Sequence, residues 1–85
     1  MIISGRVQGV FYRVSTRDIA EQLGVRGWVK NKTDNRVEAV FEGEETAVKN
    51  IISWCHKGPP SASVSGVVVD YQKFLGEFQN FTVKY

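Results

Sequence analysis

Residues 2–31 read IISGRVQGVFYRVSTRDIAEQLGVRGWVKN, and they decide the fold. Ile2 to Val7 is a short strand candidate. Glycines then bracket a turn, and residues 12–23 read as a helix, because Tyr12, Ile19, Ala20 and Leu23 share one face. Gly24 ends the run as a C-cap should. Val25 to Asn31 is apolar and aromatic enough for a second strand. A helical crossover between the two strands makes them run parallel. Their carboxyl ends therefore lie at the same edge of a sheet.

The remainder extends the pattern outward. Lys32-Thr33-Asp34-Asn35 is a turn, and Asn35 takes the left-handed conformation that a tight hairpin needs. Val37 to Glu42 alternates, with Val37, Ala39 and Phe41 on one face, and Gly43 breaks the strand. A second helix opens on Glu44 and Glu45, which suit the positive end of a helix dipole. Its apolar stripe is Ala47, Val48, Ile51, Ile52 and Cys55, and Gly58-Pro59-Pro60 stops it. Val64 to Lys73 reads as a long strand, Leu75-Gly76-Glu77 as a turn and Phe81 to Tyr85 as a short last strand. The order β-α-β-β-α-β plus a short C-terminal strand predicts a ferredoxin-like α+β sandwich, with two helices on one face of an antiparallel sheet. The expected core strand order is 4-1-3-2, and the sequence assigns no place to the last strand.

Bulk properties narrow the function classes. The 85 residues form one domain, 1–85, with 42% apolar and 24% charged residues, ordinary for a globular chain. No run approaches the roughly 20 apolar residues that span a bilayer, so no membrane partner is expected. Met1-Ile2-Ile3 leads straight into strand and motif without a leader signature. The single cysteine, Cys55, allows neither an internal disulfide framework nor zinc-type pairs, and a cytoplasmic setting is expected. A net charge of +2 argues against a large nucleic-acid footprint. Yet residues 1–36 carry seven Lys/Arg against three acids, whereas residues 37–85 carry four against six. Positive charge gathers in the glycine-bearing half, where it would concentrate a small anion.

Gly5-Arg6-Val7-Gln8-Gly9-Val10-Phe11-Tyr12-Arg13 is where that anion would sit. The N–H groups of Gln8, Gly9, Val10, Phe11 and Tyr12 can surround phosphate oxygens at a helix start. Gly9 lets backbone approach closely, and Arg13 can grip two oxygens. Asn31 closes the second strand at the same edge, 18 residues after Arg13. Its carboxamide can hold a water in line with phosphorus. Phosphoryl transfer needs mainly such positioning and charge stabilisation.

The segments at 5–13 and Gly27-Trp28-Val29-Lys30-Asn31 together resemble the two signatures of the acylphosphatases, and the resemblance spans essentially the whole chain. Val37-Glu38-Ala39, Gly58-Pro59 and the terminal aromatic strand fit the same pattern. The resemblance implies hydrolysis of the carboxyl-phosphate bond of acyl phosphates with no metal, no cofactor and no covalent intermediate. It implies Arg13 as the phosphate-binding arginine and Asn31 as the water-orienting asparagine. Inorganic phosphate is the expected product inhibitor, and a monomer is the expected state. Asn35 replaces a common glycine, Tyr12 a frequent phenylalanine, and members usually carry more residues before the first motif. The alternative from another class is a non-catalytic anion-binding or assembly module of the same fold, which benzoyl phosphate hydrolysis would separate.

Other polar and aromatic residues have plainer readings. His56 follows the apolar stripe and lacks an orienting partner, so it reads as a helix-end surface residue. Cys55 reads as a buried thiol, Lys30 as solvated, and Trp28, Trp54 and Phe41 as core. Asn31-Lys32-Thr33 and Asn80-Phe81-Thr82 spell glycosylation acceptors, read here as chance. Residues 37–42 lack the aromatic and glycine signature of an RNA-binding strand, so no nucleic-acid partner is expected.

Overall fold

The computed structural model describes residues 1–71 and 76–84. The elements run β1 (Ile2–Arg6), α1 (Tyr12–Leu23), β2 (Arg26–Asn31), β3 (Val37–Glu42), α2 (Glu45–Lys57), β4 (Ser63–Val68) and β5 (Phe81–Lys84). They build one five-stranded sheet in the order β4-β1-β3-β2-β5. The inner order 4-1-3-2 is the one the sequence predicts. β1 and β2 are each antiparallel to β3, so they run parallel to one another, and their carboxyl ends share an edge.

The structure places the last strand, which the sequence reading left open, and differs from that reading at two strand ends. β5 docks beside β2 in parallel, from Gly27↔Phe81 to Lys30↔Lys84, so the antiparallel four-strand core gains a parallel fifth strand. The Phe81 ring stacks on Phe41 at 5.7 Å, which gives that edge its apolar anchor. β4 ends at Val68 rather than Lys73. Its last rung with β1 is Ile2↔Val68. Of the expected strand and turn, Gln72, Lys73 and Leu75 lie outside the described residues, as does Tyr85 at the end of the last strand. The first strand stops at Arg6. Val7 is instead buried below the loop, its N–H donating to Gly5 O at 3.1 Å.

The pairing of β1 with β3 is short, Ile2↔Glu38 and Ile3↔Val37. Met1 lengthens it: the Met1 amino group donates to Ala39 O, and Ala39 N–H donates to Met1 O, both at 2.9 Å. Between β2 and β3 the strands approach so closely that a Cβ on Gly27 would sit 1.9 Å from Val40 O, and its φ of 134° suits only glycine.

Both helices bury one stripe each. α1 contributes Tyr12, Thr16 and Ala20, four residues apart, with Ile19 and Leu23 partly covered. Thr16 escapes an apolar count, yet burial is tolerated because its hydroxyl donates to Tyr12 O at 2.7 Å. α2 buries Ile51 and Cys55, flanked by Ala47, Val48 and Trp54. The Tyr12 hydroxyl donates to Cys55 O at 2.7 Å, and its ring lies 5.6 Å from that of Trp54. Burial raises the phenol of Tyr12 well above its ordinary range and pushes the Cys55 thiol up to about 12. Glu42 is buried and accepts the N–H groups of Gly76, Glu77 and Phe78 at 3.0, 3.3 and 3.4 Å, which fixes the approach to β5.

Candidate active site

The loop between β1 and α1 takes its shape from two left-handed residues. Gly9 has φ 73° and Phe11 has φ 62°. Between them Val10 is buried, and its carbonyl accepts the Ser61 hydroxyl at 3.3 Å. Gln8 donates through Nε2 to Lys32 O at 2.8 Å and Arg36 O at 2.9 Å. That side chain therefore ties the loop to the β2–β3 turn. The turn is itself closed by Lys32 N–H to Arg36 O at 2.7 Å, with Asn35 left-handed at φ 70° as expected. The Arg36 guanidinium hydrogen-bonds the Asp34 carboxylate and holds it below its usual range.

At the start of α1 the cap residue Phe11 makes no side-chain cap, no capping side chain is found among the described residues, and no acid occupies the first turn. The leading N–H groups thus lack the capping oxygen that such positions ordinarily find. Arg13 places a cation at this positive end, which the helix dipole alone disfavours. A bound anion would offset both. Arg13 Nη1 donates to Lys84 O at 3.2 Å, so β5 helps to orient the guanidinium.

A cavity of about 230 Å³ opens here, lined by Val7, Gly9, Phe11, Tyr12, Arg13, Val14 and Asn31. Arg13 and Asn31 thus line one space, brought there from the start of α1 and the end of β2. Asn31 Oδ1 is buried and lacks a hydrogen-bond partner among the described residues. A buried acceptor left in this state costs roughly 1–3 kcal/mol. Gln8 and Val10 do not line the cavity: one braces the turn and the other enters the core.

A second cavity, about 740 Å³, lies between β3, α2 and the residues after β4. Size does not make it the phosphate site. Its rim carries Glu38, Glu42, Glu45, Asp70 and Glu77 against Lys49 and the Met1 amino group, a balance that repels phosphate. His56 is exposed at the end of α2, with Nδ1 2.9 Å from Ile52 O, and Cys55 is buried. Neither lines the smaller cavity. Lys30 packs over Trp28 at 5.2 Å and pairs with Glu38 at 3.7 Å. Among the described residues no helix is long and apolar enough to cross a membrane.

Two contributions escaped the sequence reading. Tyr12 roots the first turn of α1 in α2 through Cys55 O, and Ser61 steadies the loop through Val10 O. Only the tertiary packing reveals either partner.

Fold and cavity together define a small ferredoxin-like α+β protein with a cationic, donor-rich cleft at the carboxyl edge of β1 and β2. Comparison with known proteins narrows this class. The acylphosphatase family profile matches residues 1–83. The chain is 48% identical to an acylphosphatase of Pelotomaculum thermopropionicum, across 100% of this chain and 92% of the relative. It is 57% identical to one of Rubrobacter xylanophilus, across 96% and 74% respectively. The crystal structure of acylphosphatase from Bacillus subtilis superposes with a TM-score of 0.94 at 34% identity, covering 99% of this chain and 93% of that one. The chain belongs to the acylphosphatase family.

Proposed function

We propose that the loop amides, Arg13 and Asn31 carry out the hydrolysis of acyl phosphates that family membership gives this enzyme. The phosphoryl oxygens dock on the N–H groups of the loop residues that line the cavity, Gly9, Phe11 and Tyr12, and on the Arg13 guanidinium. Asn31 holds a water through its carboxamide. The water oxygen attacks phosphorus in line, the bond from phosphorus to the acyl oxygen breaks, and the electron pair leaves on the carboxylate. The water proton passes to a phosphoryl oxygen, so the products are a carboxylate and inorganic phosphate. A carboxylate is a good enough leaving group to need no general acid. The guanidinium supplies a fixed charge and the carboxamide a fixed dipole, so the protein contributes position and charge rather than a proton.

One observation carries this reading. Two residues 18 positions apart line one cavity, and the buried Asn31 oxygen there lacks a partner among the described residues. A water donating to that oxygen would satisfy it and aim a lone pair at the phosphoryl group. The reading extends to a monomer working in the cytoplasm, where a free buried cysteine such as Cys55 is at home.

The test uses purified protein and benzoyl phosphate, with and without a chelator. Hydrolysis indifferent to the chelator, competitive inhibition by inorganic phosphate, and loss of both turnover and phosphate inhibition in Arg13→Ala are the expected results. Full turnover in Arg13→Ala, or hydrolysis that stops with the chelator, would overturn the assignment.

A further inference from the structure

Phe11 is costly on folding grounds alone. Its backbone is left-handed, at φ 62° and ψ 23°. Two residues earlier the loop meets a similar requirement with Gly9, at φ 73°. A bulky side chain is a rare outlier in that region. Nor does the ring gain burial, since Phe11 is 77% exposed. Three residues on, in the first turn of α1, Val14 is also exposed, at 37%. Both residues line the small cavity beside Arg13 and Asn31.

The remaining side chains of that lining are buried or half-buried, and Gly9 has none. A phosphoryl group seated among them leaves the acyl group, bonded to one of its oxygens, at the mouth. The exposed side chains there are a phenyl ring and an isopropyl group. We infer that Phe11 and Val14 form an apolar rim that receives the acyl portion of the substrate, so that the enzyme favours acyl phosphates with aromatic or extended apolar acyl groups over acetyl phosphate. This rests on the proposed phosphate site and adds to it the class of acyl group. The strained backbone has a purpose on this view: it turns the ring outward over the cavity instead of into the core.

The test compares kcat/KM for benzoyl phosphate and acetyl phosphate in the unmodified enzyme, Phe11→Asn, Phe11→Leu and Val14→Asn. Asparagine tolerates the left-handed backbone, so the first variant removes the ring while keeping the loop geometry accessible. The benzoyl-to-acetyl ratio should fall about five- to tenfold in Phe11→Asn, the scale of a lost apolar pocket contact. Phe11→Leu should recover most of it, and Val14→Asn should lower it about two- to threefold, as the smaller group covers less. An equal fall for both substrates would mean that Phe11 serves only the loop, and an unchanged ratio would mean that the acyl group lies elsewhere. Either result overturns the inference while leaving the phosphate site standing. A folded, unmodified enzyme that cleaves neither compound would sink both.

Discussion

Raising the pH should destabilise this protein in two separable steps, because two groups packed where α1 meets α2, the Tyr12 phenol and the Cys55 thiol, are kept neutral by burial. The Tyr12 hydroxyl donates to Cys55 O at 2.7 Å, and both residues are inaccessible to solvent. In the folded state burial raises Tyr12 above its ordinary 10.0 and Cys55 from 9.0 to about 12. Both groups therefore stay protonated in the folded chain at pH values where the unfolded chain has lost the protons. The stabilisation is complete below pH 9 and is lost as pH rises. From pH 9 to 10 the loss is about 1.4 kcal/mol, from Cys55, and above pH 10 the slope roughly doubles as Tyr12 joins. By pH 11 the total is on the order of 4 kcal/mol, a large part of the roughly 4–13 kcal/mol usual for a domain of this length.

Urea titrations at pH 7, 9, 10 and 11, followed by tryptophan fluorescence, measure this directly. The midpoint should fall while the m-value holds. Comparison with Cys55→Ala isolates the thiol from the lysines and other tyrosines, which both proteins share. The variant starts less stable, but its decline should begin a full unit later. Parallel curves for the two proteins, or a flat curve to pH 11, would refute the reasoning.

Other consequences follow from single contacts. Gly27→Ala forces a Cβ to within 1.9 Å of Val40 O, so β2 and β3 must separate, and the variant should lose several kcal/mol or fail to fold, as seen in circular dichroism. Gln8→Ala removes two hydrogen bonds to Lys32 O and Arg36 O, and should cost about 1–2 kcal/mol in chemical denaturation. His56→Ala should leave turnover of benzoyl phosphate as it was, because His56 lies outside the cavity.

Much of this molecule is legible from local pattern. Helix α1 occupies residues 12–23 as the periodicity predicts, and Gly24 caps it with φ 71°, because stripe and cap are both local signals. The parallel sense of β1 and β2 follows from a crossover, which is why the sequence alone puts Arg13 and Asn31 at one edge. Other features depend on partners far along the chain. The place of β5 is set by Gly27↔Phe81 and the Phe41–Phe81 stack, neither visible to a short window. β4 has its last rung at Ile2↔Val68, so its end is a matter of pairing with β1 and not of its own run of valines. Thr16 and Glu42 are polar and buried, each satisfied by backbone groups that only the folded chain brings near. At the site, the motif gave the loop and the arginine. The left-handed, outward-facing Phe11 gave no sequence signal, since its residue type argues for the opposite.

The most direct test of the division of labour is Asn31→Ala, assayed for benzoyl phosphate turnover and for inhibition by inorganic phosphate in the same preparation. Turnover should drop about 10²- to 10³-fold, the loss typical of one transition-state polar contact, while the inhibition constant for phosphate stays within about twofold. Equal weakening of both, or turnover that survives, would contradict an asparagine that positions water above a phosphate held by others.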